Sequence, residues 1–190
     1  MSGRSEKLDL PTPECSTPVD DGLGFIGNYK LNLDNKNRLI VPNEFRAILR
    51  RNSEGSNKPI KLLVTIPHDR YLKAAVMPVS EWGHYIADLE RAPVLNLSAQ
   101  QILDFVTSAA TQSVLDPHGR IRLERSIVEL AQLEKRVVVT GRRTYFLVWS
   151  EKEWTRFVAE SRASPEEKAA KAMEQMGGAR APVTANPSAQ

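Results

Sequence analysis

A short pattern occurs twice in this 190-residue chain and limits its fold more than any other feature. Asp34-x-x-x-Arg38 and Asp116-x-x-x-Arg120 stand 82 residues apart. Each follows a strand-like stretch ending in Leu, and each precedes an apolar strand and a short helix. Further along, Glu81-Trp82 matches Glu153-Trp154 at an offset of 72. The shortfall of 10 places a longer connection in the first copy, at the polar stretch from Arg51 to Pro59. A unit this short has a weak core alone. Two copies therefore share one core or complete each other's sheet, and the chain reads as one duplicated domain.

Local patterning fills in both copies. Tyr29 to Asp34 alternates apolar and polar residues, as a half-buried strand does. Asp34-Asn35-Lys36-Asn37 is turn chemistry, because Asn and Asp accept left-handed backbone angles. Arg38 to Val41 is a strand that Pro42 ends, and Phe45, Ile48 and Leu49 follow at helical spacing. Ile60 to Ile66 and Tyr71 to Met77 read as strands. Ser80 is expected to cap a helix bearing Trp82, Tyr85, Ile86 and Leu89. Ser98 with Gln101 forms a capping box for a helix carrying Ile102, Leu103, Phe105, Val106 and Ala109. The second copy runs from a strand at Ser113 to Leu115, through the turn Asp116-Pro117-His118-Gly119, to a strand at Arg120 to Leu123. Ser126 and Glu129 suggest a capped helix with Ile127, Leu130 and Ala131 inward. Val137 to Val139 and Tyr145 to Trp149 form a hairpin around 140–143. Ser150 and Glu153 cap a final helix with Trp154, Phe157 and Val158.

Charge separates core from tails. Residues 1–24 carry 2 basic and 5 acidic groups, are rich in Pro and lack an apolar pattern. Such a leader cannot offset its ordering entropy. Residues 162–190 carry 4 basic and 3 acidic groups, with a helix possible from Pro165 to Met176. The core, 25–161, is left with 20 basic and 15 acidic groups. That balance suits a polyanion partner without requiring one. The single Cys15 excludes an internal disulfide and a cysteine-built zinc site. No apolar run approaches the roughly 18 residues of a membrane helix, and no secretory signal is visible. Three scattered His make no metal site, and no cofactor is expected.

In each turn the Asp can accept backbone N–H bonds and the Arg can fork onto a carboxylate or a phosphate. An Asp–Arg pair that only braces the turn is the commoner arrangement. The functional alternative exposes Arg38, or both Arg residues, to DNA, with Lys36 alongside and Lys30 adding charge. His118 sits in the second turn as a plain turn residue or a phosphate contact. Arg46, Arg50 and Arg51 form a basic helix edge, and Arg142 and Arg143 a hairpin tip. Trp82, Trp149 and Trp154 are expected as core or interface anchors. His68-Asp69-Arg70 reads as a polar turn, and His84 as solvent-facing.

These residues resemble the MraZ family, within the SpoVT/AbrB-like group of DNA-binding proteins. The likeness spans roughly Phe25 to Phe157. It is carried by Gly27-Asn28-Tyr29, by Leu33 to Pro42, and by Phe45-Arg46. In the second copy it rests on Leu115 to Ile121, Val139-Thr140-Gly141, and Trp149 to Trp154. The resemblance implies an α+β fold: a β-rich, double-psi-barrel-like core of two pseudo-symmetric halves with flanking short helices and disordered tails. On this reading 1–24 is the leader, 25–82 the first repeat, 83–111 a helical connection, 112–157 the second repeat and 158–190 an extension and tail. The resemblance also implies a cytoplasmic, nucleoid-associated ring of identical chains and no enzymatic activity. Its members bind double-stranded DNA at short direct repeats in the promoter of the division and cell-wall gene cluster, including their own gene, and repress it. The implied DNA-binding positions are Asp34, Lys36, Asn37 and Arg38, with Asp116, His118, Gly119 and Arg120.

The chain departs from the family at Asn37, where Gly is usual, and at Glu124, where Pro is frequent. Asn37 should keep the turn, since Asn tolerates left-handed angles. Glu124 places an acid near Arg120, Arg122 and Arg125, which ranks Arg38 above Arg120. Two other readings remain: a hydrolase using Asp34 and Asp116 as a carboxylate pair, and a structural oligomer binding a protein partner. The first is disfavoured because a cation four residues on would keep each Asp ionised.

Overall fold

The structure is a computed structural model describing residues 24–51, 59–91 and 96–163. Residues 1–23 with Cys15, the connection 52–58, and the stretch from Pro165 to Met176 where a helix is possible lie outside the described residues. The fold is α+β. In chain order it comprises β1 (Asn28–Asn32), β2 (Arg38–Ile40), α1 (Asn43–Arg51), β3 (Lys61–Thr65), β4 (Lys73–Pro78) and α2 (Val79–Glu90). Then come α3 (Leu97–Ser108), β5 (Thr111–Val114), β6 (Arg120–Arg122), α4 (Arg125–Leu130), β7 (Arg136–Arg142), β8 (Tyr145–Ser150) and α5 (Glu151–Ala163).

The strands form a six-stranded sheet, ordered β1-β7-β8-β4-β3-β5, and a two-stranded ribbon, β2-β6. All pairings are antiparallel. The repeat offsets explain this order. The offset of 82 makes Leu39 and Ile121 equivalent, and these residues pair with each other in the ribbon. The offset of 72 makes Ala75 and Leu147 equivalent, and they pair with each other across β4 and β8. A residue facing its own duplicate lies on a two-fold axis. Both pairs therefore mark one pseudo-dyad relating the two copies. Around it β8 duplicates β4, β7 duplicates β3 and β5 duplicates β1, so the sheet order reads the same from both ends. The copies complete each other: β1 of the first pairs with β7 of the second, and β5 of the second pairs with β3 of the first.

Both faces of the sheet are covered, which is why its central strands are almost wholly apolar. Val137 and Val139 face one side with Phe146, Val148 and Val64, while Val138 faces the other with Met77 and Trp149. The first side packs against α1, α4 and the inward residues of the ribbon. At its centre Phe45, fully buried, meets Phe25 edge-on at 5.1 Å and Phe146 at 5.4 Å between ring centroids. Edge-on aromatic pairs add about 0.5–1.5 kcal/mol beyond their burial. The second side is roofed by α2 and α5 through Trp82, Tyr85, Trp154 and Phe157. Trp149 is buried there, its indole N–H donating to Thr140 Oγ1 at 2.9 Å.

The helix starts differ in part from the sequence expectation. Ser150 caps α5, accepting from the Glu153 N–H at 3.3 Å. Ser80 does not cap α2, which begins one residue earlier, directly after Pro78 at the end of β4. The cap of α3 is Asn96, whose side chain accepts from the Ala99 N–H at 3.2 Å, so Ser98 falls inside the helix. α4 starts after Glu124 with no side-chain cap, and Ser126 is likewise internal. Leu130 is exposed rather than inward, because α4 ends there and Ala131 and Leu133 turn into the core. The last hairpin is tighter than 140–143: β7 runs to Arg142, leaving Arg143, at φ 60°, and Thr144 as the turn.

Candidate nucleic-acid interface

Each Asp-x-x-x-Arg turn closes on itself and then on the opposite copy. In the first, the Asp34 N–H donates to the Arg38 carbonyl at 3.0 Å, and the Asn37 N–H to the Asp34 carbonyl at 3.0 Å. The carboxylate fills the turn: Asp34 Oδ1 accepts the N–H groups of Lys36 at 2.8 Å and Arg38 at 2.9 Å. Its Oδ2 accepts the Arg38 Nε–H at 2.6 Å. The second turn repeats the scheme. Asp116 Oδ1 takes the Arg120 N–H at 2.9 Å and Oδ2 takes its Nε–H at 2.9 Å. The carbonyls of Asn37 and Gly119 then accept the N–H groups of Leu123 and Val41, each at 2.9 Å. Each turn is thus fastened to the strand that follows the other turn.

Both turns need a left-handed residue at the same place. Asn37 has φ 55° and Gly119 has φ 75°. Asn therefore supports the turn, as its tolerance of this region suggests. Gly119 is further constrained by Arg46 of α1: a Cβ there would lie 2.3 Å from Arg46 Nη1. The residue 82 positions after Arg46 is Val128, a shorter side chain, so the two turns differ in what leans on them. Arg46 Nε is buried with no hydrogen-bond partner in the structure.

The bracing bonds set the electrostatics. The Arg38 backbone N–H, followed by its side chain and the Lys36 N–H, lowers the Asp34 carboxyl to about 2 against the opposing effect of desolvation. Asp116 is lowered in the same way, the Arg120 backbone N–H contributing most. Both carboxylates are thus held ionised with their oxygens committed, and a dyad sharing one proton does not arise. Each Arg spends Nε on its Asp and remains about one-third exposed, 34% for Arg38 and 27% for Arg120. The brace therefore leaves part of each Arg side chain accessible.

The structure gathers the expected positions into two groups: Asp34, Lys36, Asn37 and Arg38 in one turn, Asp116, His118, Gly119 and Arg120 in the other. Lys36 and His118 are exposed. Because β2 and β6 are antiparallel, the turns precede opposite ends of the ribbon rather than lying side by side. Lys30 does not join them; its ammonium lies 3.7 Å from Glu151 of α5. Glu124 is nearest Arg122, at 3.9 Å, whereas the partner of Arg120 is Asp116. His68 meets Phe105 edge-on at 5.8 Å, and Asp69 forms an ion pair with the buried Lys73. Among the described residues no group of His, Cys, Asp and Glu is placed to hold a metal ion, and no helix is long and apolar enough to cross a membrane.

Sequence reading missed two outward residues of the ribbon, Ile40 and Arg122. With Leu39 and Ile121 fully buried, strand alternation turns their neighbours outward. Ile40 is 53% exposed and the Arg122 side chain 70% exposed. The available signal was the alternation within Arg38-Leu39-Ile40 and Arg120-Ile121-Arg122.

Comparison with known proteins matches a family model described as "MraZ protein, putative antitoxin-like" at residues 25–105 and again at 106–176. A protein named transcriptional regulator MraZ from Desulforamulus reducens is 36% identical over 143 residues, 75% of this chain and 93% of the relative. One of the same name from Halothermothrix orenii is 35% identical over 153 residues, 80% of this chain and 99% of the relative. A third, from Leuconostoc mesenteroides, is 34% identical over 137 residues, 72% and 88% of the two chains.

Proposed function

This chain belongs to the MraZ family, and from that premise we propose that it is a DNA-binding transcriptional regulator without enzymatic activity. Its Asp-x-x-x-Arg turns are the contact elements. The observation that carries this reading is the repeated brace: in both turns Asp holds Nε of the Arg while the Arg side chain stays about one-third exposed. A guanidinium fixed at one nitrogen loses less freedom when its other two bind, and that geometry suits guanine O6 and N7. Lys36 and His118, exposed beside the forks, suit phosphate, which positions without specifying. Asn37 and Gly119 contribute the backbone angle that turns each loop back into its strand.

Two turns per chain give weak binding. Nonspecific phosphate contacts yield only micromolar to 0.1 mM dissociation constants at physiological salt. A ring of identical chains engaging a row of short direct repeats would convert later contacts into intramolecular ones, gaining on the order of 10² to 10⁴. The function proposed is therefore repression, by a homo-oligomeric ring, of the division and cell-wall gene cluster from its promoter, with the protein's own gene included. The protein would act in the cytoplasm at the nucleoid.

Gel shifts on the DNA upstream of the gene test this, using one, two and three or more repeats. Binding should strengthen steeply with repeat number and be lost in Arg38→Ala while sizing shows the oligomer intact. Equal binding by Arg38→Ala at matched salt would remove the turn from the contact.

A further inference from the structure

The outer face of the β2–β6 ribbon carries four side chains in two cross-strand pairs, Arg38 opposite Arg122 and Ile40 opposite Arg120. Two cations directly opposite each other on one sheet face repel. Asp34 offsets Arg38 at contact distance, but Glu124 reaches Arg122 only at 3.9 Å. An anionic partner across this face would relieve the repulsion. A two-stranded ribbon also fits the major groove of B-DNA. The two pairs are separated by two residues along the strand, roughly 7 Å, or about two base-pair steps.

The pseudo-dyad makes this face informative. Under the offset of 82, Arg38 duplicates Arg120, and Ile40 duplicates Arg122. The outer face of the ribbon is therefore two-fold symmetric except at one position, where one copy has Ile and the other has Arg. We infer that Ile40 and Arg122 form a polarity element: at the Arg38–Arg122 end Arg122 adds a second guanine reader, whereas at the other end Ile40 meets a thymine methyl beside the base read by Arg120. A fully symmetric ribbon would read its site equally in both directions. This one distinguishes them, as a protein that lines up on direct repeats must. Arg suits guanine O6 and N7, and an apolar side chain suits the C5-methyl of thymine. The inference rests on the DNA-binding reading and adds two specificity-determining residues to it.

The test selects bound sequences from a random-sequence duplex pool with the full-length wild type, Ile40→Arg and Arg122→Ile. Both positions are exposed, and sizing and thermal unfolding of each variant would check that the fold is kept. Wild type should select a motif with guanine at one end and thymine at the other. Ile40→Arg should replace the thymine preference with guanine. Isotherms should then show the guanine-substituted duplex gaining about tenfold or more relative to wild type. Arg122→Ile should weaken the guanine preference at its own end and leave the other end unchanged. If wild type selects a clear motif and both variants select the same one, the polarity element is wrong and the DNA-binding reading stands. If wild type selects no motif, the DNA-binding reading falls and takes this inference with it.

Discussion

Replacing Gly119 with Ala should destabilise the protein far more than the chemically small change suggests. The site has φ 75°, where an L-residue is strained by roughly 1–2 kcal/mol. The new Cβ would also lie 2.4 Å from Arg46 Cδ, so the Arg46 side chain must move from its place over the turn. Together these predict a loss of about 1–3 kcal/mol. For a chain of this size that corresponds to roughly 2–12 °C in melting temperature. Thermal and urea unfolding of Gly119→Ala, Arg46→Ala and the double variant would separate the two causes. The clash should disappear in the Arg46→Ala background while the backbone strain persists, a coupling that a double-mutant cycle reads directly. Asn37→Gly, at the equivalent place in the first turn, should stay within about 1 kcal/mol of wild type because φ 55° is already tolerated there. A Gly119→Ala protein melting with wild type would refute both the turn geometry and the role assigned to Arg46.

Three further outcomes follow from the structure. The Asp34 carboxyl, at about 2 when folded against 3.8 ordinarily, contributes stability above the ordinary value and loses it as pH falls from 3.8 toward 2. Acid unfolding of Asp34→Asn should lack that part of the pH dependence, and its DNA affinity should fall because Arg38 loses its brace. Ser150→Ala should cost about 1 kcal/mol in urea unfolding through loss of the α5 cap, whereas Ser126→Ala, internal to α4, should stay within roughly 0.5 kcal/mol. Phe45→Ala should cost about 3–5 kcal/mol by leaving a hole among Phe25, Tyr29 and Phe146.

The duplication was legible because it leaves two offsets in the chain, and the palindromic strand order follows from them once Leu39 is seen to pair with Ile121 and Ala75 with Leu147. The exchange of β1 and β5 between copies was visible only as the general expectation that each copy completes the other. Pairing of Tyr29 with Val139 is a long-range choice that no local pattern encodes. Helix existence and inward faces followed from periodicity, as at Trp82 and Val106. The caps were harder, because any Ser near a helix start resembles a cap until the backbone fixes the first turn. Asn96 took the role expected of Ser98, and Pro78 started α2 ahead of Ser80. Both turns were readable from residue chemistry at Asp34, Asn37, Asp116 and Gly119. Ile40 and Arg122 were not, because their shared face exists only once β2 and β6 pair. Arg46 was read as part of a helix edge, whereas its guanidinium lies against Gly119, on the other copy's turn.

The measurement that bears most directly on the proposed role compares wild type with Arg38→Ala/Arg120→Ala. Both would be titrated at several salt concentrations against DNA from upstream of the gene and against a scrambled duplex. Wild type should prefer its own upstream DNA strongly. The double variant should bind both duplexes about equally weakly, with a shallower dependence of affinity on salt and an unchanged oligomer by sizing. A double variant that keeps the full preference for the upstream DNA would contradict the assignment of these two turns as the reading elements.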